Sequence, residues 1–392
     1  MQSEKKITKL LSKMDRHYMV DVPLPTEKKV LLDFFKIAYS DQFNASYYQN
    51  DEKIIKRLEW CGIKNPNSPD KQPTSWICKE RKSGKIVGHF GIMPVTLKHE
   101  STSSPAAWGR DLVVLPEFRK LGIGPFLVDN VLRAIKKDIP LFLVAGGNDN
   151  VHKMYREFGL ADLGHIPIYI RALRIDNILK SKLSNRLAVS SLGFIGKSLL
   201  NILHAASFMR SSKYCNGEIA IEEIFNFDDS FDDLWKNASL SVPLIVKRDS
   251  VSLNWRFIDQ PYWKYRIFKA TVKNHKKTKG YIALREGKIR GFNAGIISDI
   301  FADSGDIRTI FSLINFAIKY FEKKGTVDLI RCDILHKDFA DVLKKLGFMR
   351  THSNSHFMIT DIREGQDPEF VTNRNNWFVS YADSDLDLSS GS

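Results

Sequence analysis

Apolar residues recur at three- and four-residue spacing through 29–40 (KVLLDFFKIAYS) and again through 51–60 (DEKIIKRLEW), which predicts helices across 29–60. The run 65–73 (NPNSPDKQP) is built of turn residues and predicts a loop. From 75 to 99 the pattern reads as strand, a turn at Lys82–Ser83–Gly84–Lys85, and a second strand. A third strand follows over 108–115. A helix over 125–137 then has Phe126, Leu127, Val131, Leu132 and Ile135 on one face. A short buried strand at 141–147 leads to a helix that begins at Asp149 and ends at Gly159, the expected left-handed terminating position. The second half repeats this order: strand, turn and strand over 277–300, an amphipathic helix over 308–325, a strand at 327–334 and a helix ending at Gly347. Strand–strand–helix–strand–helix therefore occurs twice, which predicts two domains of one fold.

A chain of 392 residues exceeds what one hydrophobic core usually serves, in keeping with that duplication. The expected boundaries are an N-terminal extension at 1–30, a first domain at 31–175, a helical linker at 176–216, a second domain at 217–362 and a tail at 363–392. The linker holds an apolar, serine-rich segment at 187–209, interrupted by Lys197 and His204, so a bilayer-spanning helix is not expected there. A packed helix is preferred over an interfacial, membrane-touching one. The acidic tail is expected to fray at its end. Cys61, Cys78, Cys215 and Cys332 form no C-x-x-C pair, which argues against a zinc site or a disulfide framework and fits a cytoplasmic chain. The first twenty residues lack an apolar core and cleavage site of the signal-peptide kind. Net charge is +14, which favours anionic partners. With no zinc finger, RNA-recognition signature or long basic tract, nucleic acid is not the expected one.

The chemistry concentrates at Arg119-Lys-Leu-Gly122-Ile-Gly124. A phosphate needs converging backbone N–H groups and no side chains in the way. Two glycines at the start of a helix meet both needs, and the helix dipole adds to them. The spacing is neither a Walker A loop nor a Rossmann fingerprint. With Val114, Pro116 and Phe118 in front of it, this stretch resembles motif A of the GNAT superfamily of N-acetyltransferases. Asn148, Val151, Tyr155, Gly159 and Leu160 downstream resemble the family's N-x-x-A-x-x-x-Y-x-x-x-G-F helix, with valine for alanine and leucine for phenylalanine.

The resemblance implies an α/β fold of two tandem GNAT-like domains, each a mostly antiparallel central sheet flanked by helices. It implies acetyl-CoA as co-substrate and no metal. The amides of Arg119, Lys120, Leu121, Gly122, Ile123 and Gly124 would cradle the pyrophosphate. Leu112, Val113 and Val114 would bind the pantetheine, the backbones of Val114 and Leu143 would flank the thioester, and Asn148 and Asn150 would lie near the CoA arm. Tyr155 would protonate the leaving thiolate. The position of the family's strand carboxylate is Trp108 here, so that role is not carried over. Asp111, the nearest carboxylate, stands as a candidate for the base, beside a water-mediated one.

The second half keeps the architecture but not the motifs. No [RQ]-x-x-G-x-G precedes its first helix, and Leu343 and His336 stand where Tyr155 and Asn148 do, so a catalytically silent copy is expected. The run Val246–Lys269 interleaves Trp255, Tyr262, Trp263 and Tyr265 with Arg248, Arg256, Lys264 and Arg266. Trp255 and Arg256 are candidate substrate contacts for a sugar phosphate or nucleotide, set against a core role. Leu253-Asn-Trp255-Arg256-Phe257 resembles a stretch of tandem GNAT proteins from bacterial surface-polysaccharide pathways. The function expected is transfer of acetyl from acetyl-CoA to an amine of a small molecule or amino sugar. The alternatives are a Fem-like aminoacyl transferase of cell-wall synthesis and a non-catalytic CoA-binding scaffold.

Overall fold

The computed structural model describes residues 2–41, 45–69, 72–174, 218–273, 275, 277–353, 355–361 and 368–389. The expected linker at 176–216, with its apolar segment, lies outside the described residues. No described helix is long and apolar enough to cross a membrane.

The chain forms two compact units. The first begins with a helix, Gln2–His17, and strand β1 (Tyr18–Asp21). Helices Lys28–Ala38, Ala45–Tyr48 and Asp51–Cys61 follow, then β2 (Ser75–Glu80), β3 (Ile86–His99) and β4 (Thr102–Val114). Helix Ile123–Ile135, β5 (Leu141–Ala145), helix Asp149–Glu157 and β6 (Ala161–His165) complete this run. The second unit contains β7 (Ile168–Ala172), β8 (Ile219–Ile224), β9 (Leu244–Val246), β10 (Arg266–Val272), β11 (Thr278–Ile289), β12 (Phe292–Ala302), β13 (Leu329–Leu335) and β14 (Met349–Thr351). Its helices include Ser250–Phe257, Ile307–Lys324 and Lys337–Lys345. After these come β15 (His356–Asp361) and β16 (Trp377–Ser380).

Strand order in the first unit is β1–β2–β3–β4–β5–β15–β6, with β4–β5 the one parallel pair along it. In the second it is β8–β10–β11–β12–β13–β7–β14, with β12–β13 parallel. The two orders correspond strand for strand. The units are not contiguous in sequence, however. β15 follows most of the second unit yet belongs to the first, and β7 precedes most of the second yet belongs to it. This corrects the contiguous ranges 31–175 and 217–362. A strand of five or six residues carries no local signal for which sheet it completes, because its partners are distant in sequence.

In the first unit, helix Ile123–Ile135 buries Ile123, Phe126, Leu127, Val131 and Ile135 against Val87 and Phe90 of β3. Gly88 permits the close approach, since a Cβ there would stand 2.9 Å from both Ile123 and Leu127. In the second, helix Ile307–Lys324 packs Ile310, Phe311, Ile314 and Phe321 into a core with Tyr281, Leu284 and Ile297.

The end of the tail, where fraying is expected, lies outside the described residues; ahead of it the tail is packed. From Trp377 to Ser384 it is buried, and Asp387 is fully enclosed. Its acidity is matched by internal cations, described below.

Candidate active site

The stretch after β4 turns twice before the helix. Pro116–Phe118 form a 3-10 turn, and the Arg119 N–H donates to Pro116 O at 3.3 Å. Lys120 and Gly122 then take positive φ values of 66° and 103°. The helix starts at Ile123, two residues before the expected Pro125, and its first ladder bond runs from Phe126 N to Gly122 O at 3.1 Å. Among the described residues, the amides of Lys120, Leu121, Gly122, Ile123 and Gly124 have no hydrogen-bond partner in the protein. Five consecutive donors at a helix N-terminus make an anion seat. Pro125, in the first turn, costs the helix nothing because its nitrogen would have had no intrahelical acceptor.

The Arg119 side chain points elsewhere. Its guanidinium holds Asp41 at 2.6 and 3.1 Å, Ala38 O at 3.3 Å and Val114 O at 3.1 Å. It therefore staples the loop to the end of helix Lys28–Ala38. Lys120 and Leu121 are exposed beside the seat.

β4 and β5 separate just before this loop. Their pairing covers Ala106–Trp108 against Leu141–Leu143 and, among the described residues, goes no further. Gly109–Val114, including Leu112, Val113 and Val114, thus offers a backbone edge without a β5 partner. Trp108, Leu143, Phe357 and Ile359 are all buried around the point of separation, with the Trp108 and Phe357 rings 5.7 Å apart. The Trp108 indole Nε1 is buried with no hydrogen-bond partner among the described residues.

Opposite, Asn148 caps helix Asp149–Glu157 by accepting from the N–H groups of Asn150 and Val151, both at 3.1 Å. Tyr155, on that helix, is 2% exposed and packs beside Phe142 at 6.3 Å between ring centres. Its neighbour Met154 lies 3.7 Å from where a Cβ on Gly124 would be. The two sequence motifs therefore meet in space. His152 donates from Nε2 to Gly146 O at 2.8 Å, and its Nδ1 is buried with no hydrogen-bond partner among the described residues.

Asp111 sits at a bulge in β4, where Asp111 and Leu112 together face Phe90, and its φ is 51°. Arg57 reaches its carboxylate at 2.8 and 2.9 Å, Arg110 at 2.6 Å, Tyr48 at 3.0 Å and Tyr39 at 3.2 Å. Burial alone would raise its pKa, but the two guanidiniums override it and hold the carboxyl well below the usual range. A carboxylate so bound is an anchor and a poor proton acceptor, which removes the physical basis for Asp111 as the base. His89 completes the cluster. Its Nδ1–H donates to Asp111 O at 2.9 Å, and Nε2 meets the Ser75 hydroxyl at 3.1 Å. Burial, with Arg110 nearby, lowers its pKa to about 4. The sequence held one sign of this network: Arg57 falls on the buried stripe of its helix with Ile54, Trp60 and Cys61.

Among the described residues, the second unit lacks these features. Ahead of helix Ile307–Lys324 the amides are satisfied: Ser304 donates to Ser241, Gly305 and Asp306 to Asp303, and Thr309 to Asp306. Two carboxylates there also repel an anion. β12 and β13 part beyond Ile297 and Cys332, and β16 fills the gap. Ser380 and Val379 pair with Ile334 and Leu335, while Ala382 N donates to Ser298 O at 3.0 Å.

The stretch rich in aromatics and cations grips this tail. Arg256, 6% exposed, donates to Ser384 O at 2.6 Å, and Arg248 joins Asp383 and Asp299. Asp387 receives Arg285, the Tyr265 hydroxyl at 2.6 Å and, on its carbonyl, the Trp263 indole. Trp255 is 5% exposed. Trp255 and Arg256 are thus core and tail contacts, which corrects their candidacy as substrate contacts.

Residues 32–160 match the model of the Acetyltransferase (GNAT) family. Among solved structures, the chain is similar to N-myristoyltransferase from Saccharomyces cerevisiae with bound myristoyl-CoA. That likeness has a TM-score of 0.55 at 13% identity, over 88% of this chain and 83% of that one. It is similar to a GCN5-related N-acetyltransferase from Anabaena variabilis, at TM-score 0.57 and 13% identity, over 88% and 73%. A third likeness is to a probable N-acyltransferase of unknown function from Enterococcus faecalis, at TM-score 0.53 and 13% identity, over 88% and 72%. No curated protein matches.

Proposed function

We propose that the chain is an acyl-CoA-dependent N-acyltransferase with one working site, in its first unit, where residues 32–160 match the GNAT acetyltransferase model. The observation that carries this reading is the row of five unpartnered amides at Lys120–Gly124 beside the unpaired edge of β4. The seat takes the CoA pyrophosphate, and the edge of β4 takes the pantetheine amides. The second unit is a silent copy whose corresponding gap is closed by the chain's own tail.

In the reaction an amine attacks the thioester carbonyl, a C–N bond forms and the C–S bond breaks. The amine proton leaves to water, since the carboxylate of Asp111 is engaged. Tyr155 delivers a proton to the departing thiolate. The donor in this reading is acetyl-CoA, with buried Trp108, Leu143 and Phe357 at the head of the gap. The acceptor is an amine of a small molecule or amino sugar, and the cytoplasm supplies both substrates.

Thiol release from acetyl-CoA in the presence of candidate amines is the direct test, run beside longer acyl-CoA donors. Tyr155→Phe is expected to lower kcat by roughly 10²-fold with little change in CoA affinity, the range of a single acid–base group. If calorimetry finds no CoA binding by the intact chain, the reading falls.

A further inference from the structure

The pyrophosphate seat is poor in charge for the ligand proposed. Acyl-CoA carries a 3′-phosphate besides its pyrophosphate, yet Arg119 is neutralised by Asp41 and only Lys120 remains on the loop.

Helix Gln2–His17 lies against that loop. A Cβ on Gly122 would stand 2.9 Å from Leu10 Cδ1 and 3.4 Å from Met14 Sδ. On the far flank of the same apolar stripe, Asp15 engages Arg81 through its carbonyl at 2.9 Å and its carboxylate at 3.3 Å. These two contacts fix the helix's rotation. At about 100° per residue, Lys13 lies about 60° from Leu10 on the side away from Asp15, and Lys9 follows about 40° beyond it. Both lysines are exposed, and among the described residues neither makes an ion pair. The wheel therefore puts Lys9 and Lys13 on the flank of the helix next to Leu10, the residue that meets Gly122, and Asp15 on the opposite flank.

We propose that Lys9 and Lys13 bind phosphate at the nucleotide end of acyl-CoA, making helix Gln2–His17 a cationic wall of the site. This rests on the acyl-CoA reading and adds an element that the matched family region at 32–160 does not include. Long lysine stems suit a phosphate held near, but not on, the amide row.

The test is calorimetry with CoA and with dephospho-CoA, which lacks the 3′-phosphate, on the wild type and on Lys9→Ala/Lys13→Ala. In the wild type, CoA should bind more tightly than dephospho-CoA. The double variant should bind CoA about tenfold more weakly, as expected for lost charge-assisted contacts, and should no longer distinguish the two. Lys9→Arg/Lys13→Arg should restore discrimination. Unchanged affinity and discrimination in the alanine variant would overturn the proposal while leaving the acyl-CoA reading intact. Absence of CoA binding by the wild type would remove both.

Discussion

At Asp111 two guanidiniums and two phenol hydroxyls converge on a single carboxylate whose side chain is 4% exposed. Asp111→Asn keeps the shape but leaves Arg57 and Arg110 buried without a counter-charge. It should cost about 3–5 kcal/mol, read from urea unfolding at pH 7. Because the folded carboxyl titrates far below its unfolded value, this stabilisation is complete at neutral pH and fades only in strong acid. His89 governs a milder range. Its folded pKa of about 4 lies below the ordinary 6.5, so the unfolded chain takes up a proton that the folded one refuses. Stability should fall as pH drops below about 6.5, by about 2 kcal/mol at pH 5, and His89→Gln should flatten that slope.

Among the elements, the loop between β4 and its helix has the strictest conformational demand. Gly122 holds φ at 103°, and a side chain there would meet Leu10 and Met14. Gly122→Val should abolish CoA binding while costing the fold about 1–3 kcal/mol, so calorimetry and thermal unfolding separate the two effects. The corresponding loop of the second unit shows what the seat requires by contrast. Its helix is also N-capped, but by Asp306, whose carboxylate accepts from Thr309 at 3.1 Å and occupies the place of an external anion. A side-chain cap and a ligand seat are alternative answers to the same unpaired amides.

Across the whole molecule, chain order and spatial order diverge. Residues 356–361 complete the first unit's sheet between β5 and β6, with Ile359 opposite Leu143 and Ala161. A fragment spanning 31–175 therefore lacks an interior strand and exposes two unpaired edges. It should be unfolded or aggregated, as read by circular dichroism and light scattering, whereas the full chain should unfold cooperatively. The second unit depends likewise on residues 377–387, whose acids are matched to buried Arg248 and Arg285.

Local order was legible along the chain. Periodicity gave the helices at 28–61, 123–135, 307–324 and 337–345 and the two hairpins to within a few residues, because amphipathic spacing is a property of neighbours. The glycines and cations of 119–124 marked the loop, since backbone freedom is written in residue type. The start of β4 at Thr102 was missed, because TSSPAA is polar and proline-bearing yet pairs with β3. Long-range pairing decided the rest. Contact with Asp41 turned the side chain of Arg119 away from the seat, and contact with Arg57 and Arg110 made Asp111 an anchor. The same kind of contact gave Trp255 and Arg256 to the tail and sent β7 and β15 into units their sequence positions do not suggest. Residue types and their spacing determined which groups could bind an anion; only the tertiary fold decided which were left unpaired to do so.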